Sequence, residues 1–95
     1  MDRERLVDEL EENFGGTGMA LRAVSRQARD LADSGRIEAD MDYRLTVDAV
    51  ISNMADAPDG HTLVERWNWW VGSLELSFGH YQRFRVRPDL EEEHR

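Results

Sequence analysis

Arg22, Arg26 and Arg29 stand four and three residues apart, a spacing that lines them up on one face of a helix. A guanidinium row meets phosphates or carboxylates, because each planar fork offers paired N–H donors to two oxygens. The simpler use of such a row is pairing with acids on a neighbouring helix, Glu4, Asp8 and Glu11, or with the same acids of a second subunit. Exposed pairs of that kind contribute under about 1 kcal/mol each. A second candidate is the run Gly15-Gly16-Thr17-Gly18 ahead of a helix. Glycine-rich turns at helix N-termini cradle phosphate, but the established phosphate loops need a lysine or a preceding strand, and this chain has neither there. It reads as a hairpin link. His61 and Glu65 are four apart, and His80 has no second histidine at ligand spacing, so no metal site is expected. The serines lack a nucleophile-elbow context. Catalytic residues and cofactors are therefore not expected.

The surrounding charge narrows the choice. The chain has 95 residues with ten Asp, ten Glu, 12 arginines and no lysine or cysteine, for a net charge of −8. An acidic surface disfavours nucleic acid and anionic membranes, since phosphate neutralisation supplies most such affinity. Without cysteine there are no disulfides and no thiolate chemistry, which suits a reducing cytoplasm. No apolar run approaches a membrane span, and the charged start is unlike a secretory signal. Near-equal Asp and Glu with arginine as the sole strong base resembles the proteins of salt-in haloarchaea. That resemblance is one of composition across the whole chain and implies no functional residues. A GC-rich genome accounts for the arginine usage equally simply.

Periodicity places these residues on helices. Leu6, Val7, Leu10 and Phe14 predict a helix over residues 2–14, with Asp2 as cap. Leu21, Val24, Ala28 and Leu31 predict another over 17–34, capped by Thr17 and followed by Gly35. Tyr43, Val47, Val50 and Met54 share one face of a third, over 38–55, which Pro58 stops. Thr62 and Glu65 form a capping box. It opens a fourth helix through Tyr81, whose inward stripe is Leu63, Trp67, Trp70, Leu74, Phe78 and Tyr81. Alternation of Phe84 and Val86 with arginines then predicts a short extended piece ending at Pro88. Whether residues 82–87 are helix or strand is left open. The expected architecture is all-α: a small bundle of about four helices with short links over residues 1–88, and a frayed acidic tail over 89–95.

All three tryptophans fall within Trp67–Trp70. Trp67 and Trp70 belong to the inward stripe. Trp69 lies about 100–120° away at 100° per residue, beside Leu76 and bordered by Gly72 and Gly79. Helical glycine costs about 1 kcal/mol relative to alanine, so a heptad pair of glycines suggests close approach by another backbone. A fourth helix apolar on two sides is either central in the subunit or paired with its own copy. The reading that follows is a small acidic interaction module, an adaptor, regulator or accessory subunit, that forms a homodimer through Trp69, Gly72, Leu76 and Gly79. The alternative is a small ligand- or metal-binding helical-bundle enzyme whose pocket combines Tyr43, Trp67 and Tyr81 with carboxylates such as Glu65 or Glu75, Asp48 being a further acid that would have to face inward. Stacking of bases on the indoles needs more cationic neighbours than Arg66, Arg83, Arg85 and Arg87 supply.

Overall fold

The computed structural model describes residues 1–91. They contain five α-helices and two 3-10 turns, with no strand among them. The all-α expectation holds, and the first two helices fall where periodicity placed them. α1 spans Arg3–Phe14, and the Asp2 carboxylate accepts from the Arg5 amide at its start. α2 spans Gly18–Asp33, and the Thr17 hydroxyl oxygen accepts from the Ala20 amide.

The third expected helix is two. α3 covers Arg36–Met41 and α4 covers Val47–Ala55. Asp42 closes α3 in the left-handed region (φ 61°), a conformation Asp tolerates better than most residues. Thr46 then caps α4 by accepting from the Ala49 amide. The break leaves Tyr43 half-buried in a connector rather than on a helical core face. Its hydroxyl accepts a weak bond from the Asn53 amide at 3.4 Å. Ile37 and Leu45, absent from the expected core, are buried instead.

α5 spans Leu63–Phe78 and opens with the expected capping box, both halves present. It stops three residues before Tyr81. Gly79 (φ 76°, ψ 165°) occupies a conformation open essentially only to glycine, and His80 follows at φ 67°. These residues turn the chain back along the bundle. Tyr81 is still fully buried, but from beyond the helix, between Phe78 and Phe84. Phe78 pays for the early stop: expected in the core, it is 43% exposed on the last turn.

The four longer helices close a ring. α1 packs on α2, α2 on α5, α5 on α4, and α4 on α1, the arrangement that short links between amphipathic helices favour. Gly16 permits the α1–α2 link. At φ 113° it faces Leu63, and a Cβ there would lie 2.8 Å from the leucine's Cδ2. Leu6, Leu10, Leu21, Val24, Leu31, Val47, Val50, Met54, Trp67, Trp70 and Leu74 fill the centre.

Residues 82–91 form a strap over α2 and α5. The extended piece begins with a 3-10 turn, Gln82–Phe84. Alternation holds as expected, with Phe84 and Val86 buried and Arg83, Arg85 and Arg87 exposed. The strap finds its hydrogen bonds on side chains rather than on a strand. The Trp67 indole N–H donates to the Phe84 carbonyl at 2.8 Å. The Asn68 amide donates to the Val86 carbonyl and accepts from its N–H, at 2.8 and 2.9 Å. The start of the expected frayed tail is docked as well. In the turn Pro88–Glu91, the Leu90 carbonyl accepts from the Thr17 hydroxyl, and the Glu91 carboxylate accepts from the Val64 amide in the first turn of α5. There it neutralises an unpaired donor at the positive end of the helix dipole. The rest of the expected tail, residues 92–95, lies outside the described residues.

Candidate interaction surfaces

Two surfaces emerge from the residues singled out by sequence. The first is the outward face of α5. Leu63, Val64, Trp67, Trp70, Val71 and Leu74 are its buried residues, so its inward face is centred near Trp67. At 100° per residue, Trp69 lies about 160° from Trp67 and Leu76 about 180°. Both are farther round than expected, because Val64 and Val71 widen the inward stripe on the side away from Trp69. Trp69 is 38% exposed and Leu76 91% exposed. Among the described residues Leu76 has no cover and Trp69 only partial cover, so within them α5 is not buried on both faces. Of the two glycines expected beside it, Gly72 has open space where a Cβ would stand. Gly79 lies past the helix end, where it is required by the turn rather than by a close approach.

The second surface is the arginine stripe. Arg22, Arg26 and Arg29 are all exposed, on the side of α2 opposite Val24 and Ala28. With Arg3, Met19, Ala23 and Leu90 they line a groove of about 630 Å³, to which Asp30 and Asp33 also contribute. Met19, on its apolar part, is 53% exposed. The expected pairing with Glu4, Asp8 and Glu11 inside the subunit is not formed. Among the described residues the ion pairs are Arg5–Asp48 at 2.6 Å and Arg87–Asp89 at 2.7 Å. Met19 stands three residues before Arg22 and seven before Arg26 on the same face of α2, whereas Arg3 carries no periodic signal that points to the groove and reaches it only through the packing of α1 beside α2.

The carboxylates of the alternative pocket are each engaged in a structural contact. Asp48 is exposed and paired with Arg5. Glu65 serves the capping box, and the bond from the Thr62 backbone amide holds its carboxyl below the usual carboxylate range. Glu75 turns back to accept from the amides of Tyr81 and Gln82 at 2.8 and 3.0 Å, which fixes the turn after α5. No group of three or more metal-ligating side chains converges among the described residues, and no described helix is long and apolar enough to cross a membrane. His61 Nδ1, within the α4–α5 link, is buried with no hydrogen-bond partner among the described residues. Arg66, given no structural part by the sequence reading, ties that link together. It donates to the carbonyls of His61 and Met54 and lies over the Phe14 ring.

The run Trp67-Asn68-Trp69-Trp70 now has a part for every member. Trp67 and Trp70 meet edge to face at 5.5 Å inside the core, Asn68 holds the strap, and Trp69 faces out. Residues 1–75 match the family model of the WNWW domain. The chain belongs to the WNWW domain family. Its name spells residues 67–70 of this sequence, and the matched span takes in α1 to α4 and most of α5. No curated protein and no solved structure matches the chain. In this WNWW domain Trp67, Asn68 and Trp70 build the subunit, and Trp69 is the name residue whose ring is partly open to solvent.

Proposed function

We propose that this WNWW domain is a helical interaction module, an adaptor, regulator or accessory subunit, that self-associates through the outward face of α5. The observation that carries the reading is Leu76. A leucine 91% exposed, two turns along from a tryptophan 38% exposed on the same face, is apolar surface that no described residue covers. Covering each of these side chains by a second copy contributes up to roughly 2–3 kcal/mol by area, and aromatic residues are favoured anchors at such contacts. A two-fold axis lets the same strip meet itself. Gly72 adds no side chain to hold the copies apart.

The composition fits a cytoplasmic, salt-adapted protein, and the apolar contact belongs to the same picture. At about 2 M salt the screening length is below about 3 Å, so dense carboxylates repel weakly while apolar burial persists. Light scattering on a size-exclusion column under those conditions tests the dimer. The wild-type chain is expected to run as a dimer, and Leu76→Glu and Trp69→Ser as folded monomers with unchanged far-ultraviolet circular dichroism. A wild-type chain that stays monomeric across the accessible concentration range overturns the reading.

A further inference from the structure

We propose a second self-recognition surface, distinct from α5: the arginine stripe of α2 receives the acidic outer face of α1 from another copy, and the exchange is reciprocal. Glu4, Asp8 and Glu11 stand four and three residues apart, the same steps as Arg22, Arg26 and Arg29. All six side chains are exposed. At 100° per residue the acids lie opposite Leu6 and Leu10, and the arginines opposite the buried face of α2, so each row points straight away from the core.

The hairpin sets the register. α1 and α2 run antiparallel about the short link at residues 15–17. Counted outward from that link, Glu11 and Arg22, Asp8 and Arg26, and Glu4 and Arg29 fall within one or two residues, at most ~3 Å of helix rise, of the same height, a gap long side chains span. A two-fold axis parallel to the helices, placed over the outer face of the hairpin, puts α1 of one copy on α2 of the other while preserving those heights. Each acid then faces an arginine, and each row of both copies is used. Met19, Ala23 and Leu90 supply apolar surface in the same groove. Two copies that each carry a net charge of −8 repel in a random approach, so this complementary face favours one orientation.

The surface is argued from charge and register and does not rest on the α5 contact. The two are also separable by salt. Exposed ion pairs are screened as the Debye length falls from about 10 Å at 0.1 M to about 3 Å at 1 M, whereas the apolar α5 strip is not weakened.

The test uses the full chain carrying Leu76→Glu, so that the α5 contact is disabled. Sedimentation velocity at the lowest salt at which circular dichroism shows this parent folded should show that it associates, with affinity falling at least tenfold as KCl is raised to several molar. Arg22→Glu, Arg26→Glu and Arg29→Glu together should abolish the association, as should Glu4→Arg, Asp8→Arg and Glu11→Arg together. Mixing the two triple variants should restore it, because the all-acid and all-basic hairpins then complement each other. Circular dichroism checks each fold, and the single pair Arg26→Glu with Asp8→Arg repeats the swap should a triple variant be unfolded. A folded parent that is monomeric at that salt overturns the proposal, whatever acidic peptide or inorganic phosphate its groove binds. So does a mixture of folded variants that stays monomeric. The α5 reading stands or falls separately, on the oligomeric state in high salt.

Discussion

Asn68 shows how much a single side chain decides in a small bundle. Its amide presents one donor and one acceptor to Val86 at strand-like distances, so a segment that would otherwise need a β-partner takes one residue from a helix. Removing one side of a partly buried hydrogen-bonded pair costs about 1–3 kcal/mol. Asn68→Ala should therefore lower the stability measured by urea denaturation by about that amount. Tyr81 is the second such residue. Its hydroxyl donates to the Asp40 carboxylate at 2.7 Å. Burial above all, and then Asp40, raises the phenol well above its ordinary value near 10. The neutral phenol is the form the fold prefers. Its contribution is complete below about pH 10 and is lost as pH rises toward the folded-state value. Melting temperatures measured at pH 7 and near pH 11 should show an alkaline loss in the wild type that Tyr81→Phe reduces.

At the scale of elements, the end of α5 is set by backbone conformation more than by side-chain pattern. Leu74, Phe78 and Tyr81 keep helical spacing, so periodicity alone carries the helix through Tyr81. The Gly79–His80 pair overrides it, and Glu75 secures the turn by accepting two amides beyond the helix end. Gly79→Ala forces a Cβ into a region open essentially only to glycine and should cost about 1–3 kcal/mol. His80→Gly should be neutral or stabilising by thermal denaturation. It relieves a left-handed non-glycine residue worth about 1–2 kcal/mol against a smaller gain in unfolded-state freedom. The split of residues 38–55 into α3 and α4 has a similar origin. The apolar spacing from Tyr43 through Met54 is continuous, but Asp42 takes up the left-handed conformation and Thr46 starts a new helix. Both are single-residue signals that a smooth hydrophobic period hides.

Across the whole molecule, charge and apolar surface respond to salt in opposite directions. The ring of helices buries a continuous core, so the acidic exterior carries most of the salt response. If the composition reflects salt adaptation, unscreened carboxylate repulsion should loosen the fold below about 0.5 M salt. A melting temperature that rises from dilute buffer to about 2 M KCl, by more than a comparable neutral osmolyte produces, is the expected result. Full stability in dilute buffer favours the codon-usage explanation of the missing lysines. The two proposed contacts lie on different helices, the outer faces of α1 and α2 in one and the outward face of α5 in the other. Molar salt is therefore expected to leave the α5 contact in use while releasing the charge-matched hairpins.

The sequence by itself determined the helical class, the starts of α1, α2 and α5, and most of the core. Those follow from local rules: apolar spacing near 3.6 residues and caps written into the chain at Asp2, Thr17 and Thr62. It also marked Trp69, Leu76 and the arginine row, because face assignment on a helix needs only the angle per residue. Only the tertiary structure decided that no described residue covers Leu76 on the back of α5, and that the arginines do not pair with α1. It alone placed Tyr81 in the core from outside the helix and docked residues 88–91 on Thr17 and Val64. Each of these depends on where one element lies against another, and on backbone conformations past a helix end, which no spacing within a single segment encodes.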